Sequence, residues 1–116
     1  MTIKQISLIV LTVLMLSAGQ VLFKYAAGKI DIQGKGIYAG LLFNPALILA
    51  LIIYGAATIS WLLVLRNTPL KLAYPFAALA FIIVPIFAFL FLGETLRWST
   101  FAGAAVIIIG VYISLL

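Results

Sequence analysis

Residues 61–110 read WLLVLRNTPLKLAYPFAALAFIIVPIFAFLFLGETLRWSTFAGAAVIIIG, two long apolar runs joined by one polar knot, Gly93-Glu94-Thr95-Leu96-Arg97. No charge interrupts Leu72 to Leu92, and about 21 residues at roughly 1.5 Å of rise each span about 30 Å, the thickness of a bilayer's hydrocarbon. That length predicts a membrane helix rather than a core helix. It contains Pro75 and Pro85. Pro75 falls in the first turn, where a missing N–H costs little, but Pro85 falls mid-span and takes the hydrogen-bond partner from the carbonyl near Phe81. In lipid such a group needs an internal partner or a wet cavity, so this part of the helix is expected to face protein or a substrate path.

The remainder of the chain is of the same kind. Its 116 residues are 67% hydrophobic and 8% charged, with a mean hydropathy of +1.39, far from a soluble domain. The expectation is an all-α integral membrane protein of one domain, residues 1–116. Four transmembrane helices are expected at about 5–25, 45–65, 71–92 and 98–116, with an interfacial loop over 27–44. No soluble domain is left over, so function is exercised within the bilayer or at its two surfaces. With no Cys and no His, thiol chemistry, disulfides and the usual zinc or haem ligands are excluded, and no metal or cofactor is expected. The two carboxylates, Asp31 and Glu94, lie far apart in the sequence. A paired acid/base site is therefore not expected, nor catalytic residues, nor an enzyme. The net charge of +5 comes mostly from Lys and Arg at span ends, where it suits anchoring to phospholipid head groups rather than a nucleic-acid partner.

The first apolar run, Ile6 to Phe23, is long enough to cross. Lys4, the apolar core and Ser17-Ala18-Gly19 imitate a signal peptide, but the apolar stretch continues past Gly19, which favours a span. Ser17, Gln20 and Lys24 share one face at spacings of three and four, so a polar stripe enters the membrane from one end. An unpaired amide at the depth of Gln20 costs a few kcal/mol in lipid, so Gln20 should face a partner or a cavity. It either hydrogen-bonds across a helix interface while Lys24 snorkels to the surface, or both bind substrate.

From Ala27 to Phe43 the chain holds glycines, lysines and Asp31. It reads as a surface loop that turns apolar from Ile37, with Tyr38 and Phe43 suiting the head-group level. Asn44-Pro45 is a helix start, Asn as N-cap and Pro at the first helical position. On the second span Tyr54, Thr58, Trp61 and Leu65 share a face. Tyr54 and Trp61 either pack there or line a cavity, while Gly55, Ala56 and Ala57 offer a small surface for close helix contact. Arg66-Asn67-Thr68-Pro69 ends the span, and the turn to Lys71 permits only an antiparallel hairpin. Past the third span, Trp98 marks the interface. Glu94 either pairs with Arg97, caps the fourth helix, or has a functional role. Gly103 and Gly110 lie on one face of the last span, a groove that fits a helix–helix contact, within the chain or between subunits.

With four spans, Lys4, Arg66 and Lys71 share the side of both termini, and Lys24, Lys29, Lys35 and Arg97 lie opposite. This near balance leaves orientation weakly specified by the positive-inside rule, so the chain could pair with itself antiparallel. Inverted pairing would place a binding site near the midplane. No inverted repeat is visible within the chain, so a second copy or a sister subunit would have to supply it.

As a set, Ala18-Gly19-Gln20-Val21-Leu22-Phe23-Lys24, Trp61-Leu62-Leu63-Val64-Leu65, Pro69, Ala73-Tyr74-Pro75, Leu92-Gly93-Glu94 and Gly103 to Gly110 resemble the EamA-like branch of the drug/metabolite transporter superfamily. In order and spacing they resemble its four-helix aminoarabinose-phosphoundecaprenol flippase subunits. The resemblance implies a dimer, homodimeric or with a related four-helix subunit, moving an amphiphile such as a polyprenyl-phosphate-linked sugar across the bacterial inner membrane. The chain also resembles small multidrug resistance transporters, but Leu16 stands where their membrane-embedded glutamate would be, and Ala77 where an aromatic follows their Ala-Tyr motif. Both departures argue against proton-coupled export of cations. A lipid phosphate fits better: Lys24 supplies a cation at the membrane edge, Gln20 and Tyr74 neutral hydrogen-bonding groups, and Arg66 or Lys71 an attraction from the other face. Glu94 could read an amine on the sugar. The alternatives are a small exporter of organic cations and a non-transporting partner of a membrane glycosyltransferase.

Overall fold

The computed structural model describes residues 2–30 and 43–116. The interfacial segment expected from Ile37, with Tyr38, Lys35 and Asp31, lies outside the described residues apart from Phe43. Among the described residues four helices form: α1 Ile3–Ala27, α2 Pro45–Asn67, α3 Leu70–Leu92 and α4 Trp98–Ser114. The first three are long and apolar enough to cross a membrane. The fourth has 17 residues.

Local sequence fixes each end. Thr2 Oγ1 accepts from the Gln5 N–H and Gln5 Oε1 accepts from the Thr2 N–H, a reciprocal cap that starts α1. Asn44 starts α2, with its Oδ1 accepting from the Leu47 N–H at 3.2 Å and Pro45 at the first helical position. The same amide's Nδ2 donates to the Ala26 carbonyl at 2.9 Å, so one buried side chain closes the end of α1 and opens α2. At the other end Gln5 Nε2 donates to the Asn67 carbonyl. These two contacts make α1 and α2 antiparallel neighbours. Thr68 and Pro69 are extended, and the chain turns directly into α3.

α3 is wound irregularly. It is α-helical over Leu70–Ala73, tightens to 3₁₀ over Tyr74–Leu79, returns to α over Ala80–Phe87 and loosens to π over Ala88–Leu92. The tightening begins at Tyr74-Pro75, and the loosening follows Pro85, whose absent N–H has removed a rung of the ladder. Gly93 stops the helix in the left-handed conformation, φ 71°, with its N–H and that of Glu94 both turned to the Ala88 carbonyl. α4 then runs back along α3, and Arg97 at its cap position makes no side-chain cap hydrogen bond.

The packing is that of a membrane protein. Large apolar side chains such as Leu51, Ile59, Leu90, Val106 and Ile113 point outward, while much of the interior is small or hydroxylated: Ser17 on α1, and Thr12, Gly19, Ala50, Ala57 and Ser60 between α1 and α2. Lipid tails solvate Leu as well as a protein core does, so helices associate where small residues let backbones approach and hydroxyls bond across. Thr12 Oγ1 and Ser60 Oγ form such a hydrogen bond. Ile9, Val13, Val64 and Ala73 form the apolar centre, with Trp61, Leu65 and Phe76 packed on it. The expected small surface on α2 is displaced. Ala57 is buried, but Gly55 and Ala56 are exposed, and a Cβ on Gly55 would meet open space. The close approach is on α1 instead, where a Cβ on Gly19 would come within 2.9 Å of Tyr54 Cδ2.

Candidate functional site

The polar stripe on α1 divides into three fates. Ser17 is buried and donates to the Val13 carbonyl at 2.8 Å, so its hydroxyl is spent within its own helix. Lys24 is exposed in the last turn of α1. Gln20 lies between them, about 10 Å along the axis from the helix end. It is exposed, and it lines a groove of about 350 Å³ whose other walls are Ala80, Phe81, Val84 and Pro85 of α3. The amide therefore faces the proline-bearing stretch across a cavity that is otherwise apolar.

A second groove, about 520 Å³, also lies between α1 and α3. Ala18, Val21, Leu22 and Tyr25 form one wall and Phe87, Phe91 and Leu92 the other. Its lining is apolar throughout except for the Tyr25 hydroxyl, and Phe87 and Phe91 meet edge to face, 5.8 Å between centroids. The Lys29 ammonium stands 5.3 Å from the centre of the Tyr25 ring. The walls of these grooves are ordinary apolar residues that a reading of the sequence does not single out; Gln20 and Pro85 were the local signals, and both line the first groove.

The remaining expected site residues are distributed as follows. Arg66, Lys71 and Tyr74 are all exposed and lie at the α2–α3 turn, at the same end as Lys4. Lys24, Lys29, Glu94 and Arg97 are exposed at the opposite end. Tyr74 is about 16 Å along α3 from Pro85, so a single chain does not bring it to Gln20. Tyr54 is half-buried, its ring against Gly19 and tilted on Phe23 at 5.4 Å. Trp61 packs on the apolar centre. Gly103 and Gly110 are exposed with open space around both, and along α4 only Ala104 is buried. Trp98, 90% exposed at the start of α4, suits the head-group level. Among the described residues no cluster of metal-ligating side chains forms.

The chain is 33% identical over 103 residues to a protein of Aeromonas salmonicida named as probable 4-amino-4-deoxy-L-arabinose-phosphoundecaprenol flippase subunit ArnE, covering 89% of this chain and 90% of that one. It is 34% identical over 107 residues to a probable ArnF subunit of the same flippase from Erwinia tasmaniensis, covering 85% and 84%. A probable ArnE subunit from Salmonella enteritidis is 34% identical over 106 residues, covering 91% and 92%. No solved structure matches the chain. These relatives are transporter subunits rather than enzymes, and with three membrane-length helices the chain is a multi-pass protein of the bacterial inner membrane. Over residues 2–116 the sequence matches the EamA-like transporter family, and the chain belongs to it.

Proposed function

We propose that this chain is one subunit of a two-subunit flippase that carries a polyprenyl-phosphate-linked sugar, or a related anionic lipid, across the inner membrane. The supporting observation is its likeness, over most of its length and at nearly equal identity, to subunits named ArnE and ArnF of one flippase. Gln20 facing a groove between α1 and α3, one turn inside Lys24, gives that reading a place for a polar head while the lipid's tail stays in hydrocarbon.

Lys24 draws the phosphate at one membrane edge, and Arg66 and Lys71 draw it at the other. In an antiparallel pair, the partner's copies of Arg66, Lys71 and Tyr74 would arrive at the membrane face where this chain presents Gln20 and Lys24. Each face would then hold the full set that one chain splits between its ends. The exposed face of α4, with Gly103 and Gly110 open, is the surface through which such a partner packs. Tyr54 and Trp61 are occupied by packing, and no cargo contact is assigned to them.

Reconstituted vesicles test the reading. Movement of a polyprenyl-phosphate-linked sugar between leaflets should fall about tenfold or more in Gln20→Ala and Lys24→Ala, with assembly unchanged. Failure to move the lipid-linked sugar, together with proton-driven export of quaternary cations, would replace this reading with a cation exporter.

A further inference from the structure

Pro85 has no N–H, so the carbonyl of Phe81, one turn earlier, has lost its helical donor. Phe81 and Pro85 both line the groove that Gln20 faces. In an α-helix a carbonyl points along the axis toward the nitrogen four residues on, so this acceptor, deprived of its regular donor, is directed along the wall between Phe81 and Pro85. At membrane depth an unmet carbonyl is costly, and Ala80, Val84 and the Phe81 ring offer nothing to bond it.

We propose that the Phe81 carbonyl and the Gln20 amide together form a binding site for a hydrogen-bond donor, a hydroxyl or an ammonium, on the headgroup of the cargo. This rests on the lipid-headgroup reading above and adds the backbone acceptor that discriminates among headgroups. A carbonyl offers lone pairs alone. It repels an ionised phosphate, which also offers lone pairs alone, and it attracts a sugar hydroxyl or a protonated amine. The Gln20 amide can turn either end to the ligand, donating to a hydroxyl oxygen or accepting from its proton. Apolar walls supply no substitute partner, so a headgroup lacking the donor leaves the carbonyl bare.

The competing arrangement is a staple, in which the Gln20 amide simply donates to the Phe81 carbonyl and ties α1 to α3. Pro85→Ala separates the two, because it returns the N–H and closes the helical bond to Phe81. The full chain in lipid nanodiscs is titrated with three short-chain probes: a bare polyprenyl phosphate, the same lipid bearing a neutral hexose, and the same lipid bearing an amino sugar. The wild type should prefer one or both sugar-bearing probes to the bare phosphate by about tenfold. Preference for both assigns the donor to a hydroxyl, and preference for the amino sugar alone assigns it to the ammonium.

Gln20→Ala and Pro85→Ala should each reduce the preference below about twofold and add nothing when combined. Thermal unfolding should show Pro85→Ala at or above wild-type stability, so its loss of discrimination is not a loss of fold. Retention of the preference in Pro85→Ala overturns the proposal. So does its recovery when Pro85→Ala is added to Gln20→Ala, the signature of a staple. A wild type that binds all three probes equally overturns it while leaving the flippase reading standing. A wild type that binds none overturns both.

Discussion

Between α1 and α2 the chain buries Thr12, Gly19, Ala50, Ala57 and Ser60, whereas along α3 and α4 only Ala73, Ala88 and Ala104 are buried. The first pair is joined by side-chain bonds at both ends and in the middle, Gln5 to Asn67, Thr12 to Ser60 and Asn44 to Ala26. The second pair has irregular winding, grooves along its walls, and glycines facing open space. Neither pair lacks apolar residues, so a shortage of hydrophobicity does not explain the difference. What separates them is the supply of small and hydroxyl residues on matching faces, the one attraction that lipid cannot imitate. One half of the molecule is a finished frame, and the other half is a surface and a cavity awaiting company.

Glycines on the two halves give the sharpest way to break that contrast. Gly19→Leu forces a side chain into the Tyr54 ring, which is itself held by Phe23, and should cost about 2–3 kcal/mol. Gly19→Ala is a poorer test, because its gain in helix propensity, about 1 kcal/mol, offsets part of the clash. A Cβ at Gly103 meets nothing among the described residues, so Gly103→Leu should leave the unfolding transition of the chain where it was, while weakening association with a partner. Denaturant titration in detergent reads the first and cross-linking in membranes the second. A destabilised Gly103→Leu monomer, or an unaffected Gly19→Leu, would erase the distinction between frame and surface.

Asn44→Ala sharpens the account of how the frame is closed. The amide caps α2 and bonds the Ala26 carbonyl, so its removal takes away two hydrogen bonds and leaves a buried carbonyl without that donor. The expected loss is about 1–2 kcal/mol. Asn44→Ser restores the cap alone and should recover roughly half. Equal losses in the two variants would mean that the bond to Ala26 carries the effect.

The same contrast explains which features could be read from the sequence. Boundaries were legible because they are written in polar and special residues: Asn44-Pro45 starts α2, Thr68-Pro69 sets the hairpin, and Gly93 ends α3. Faces were not. In water an amphipathic pattern reveals which side of a helix is inward, but α1 and α2 carry apolar residues around their whole circumference because lipid is as good a neighbour as protein. Gly55-Ala56-Ala57 therefore looked like a contact surface, and two of its three residues point outward. Gly19, flanked by Ala18 and Gln20, makes the close contact without advertising it. The polar stripe on α1 was visible, yet nothing in the spacing distinguished Ser17, spent on its own helix, from Gln20, which lines a groove.

The smallest expected effect tests whether a hydroxyl inside the frame stabilises through its bond or merely through its size. Thr12 and Thr68 are both buried, but Thr12 Oγ1 is bonded to Ser60 and to the Leu8 carbonyl, whereas Thr68 Oγ1 has no partner among the described residues. Replacing each by Val keeps the shape and removes the oxygen. At Thr12 the change leaves Ser60 facing a methyl group and should cost about 0.6–1.7 kcal/mol, the range of hydroxyl bonds between membrane helices. At Thr68 it removes an unsatisfied group and should be neutral or stabilising by up to about 1 kcal/mol. Opposite signs in the same detergent titration would attribute the α1–α2 frame to directed bonds. A shared sign would return the credit to packing volume, and the contrast with α3 and α4 would then rest on residue size alone.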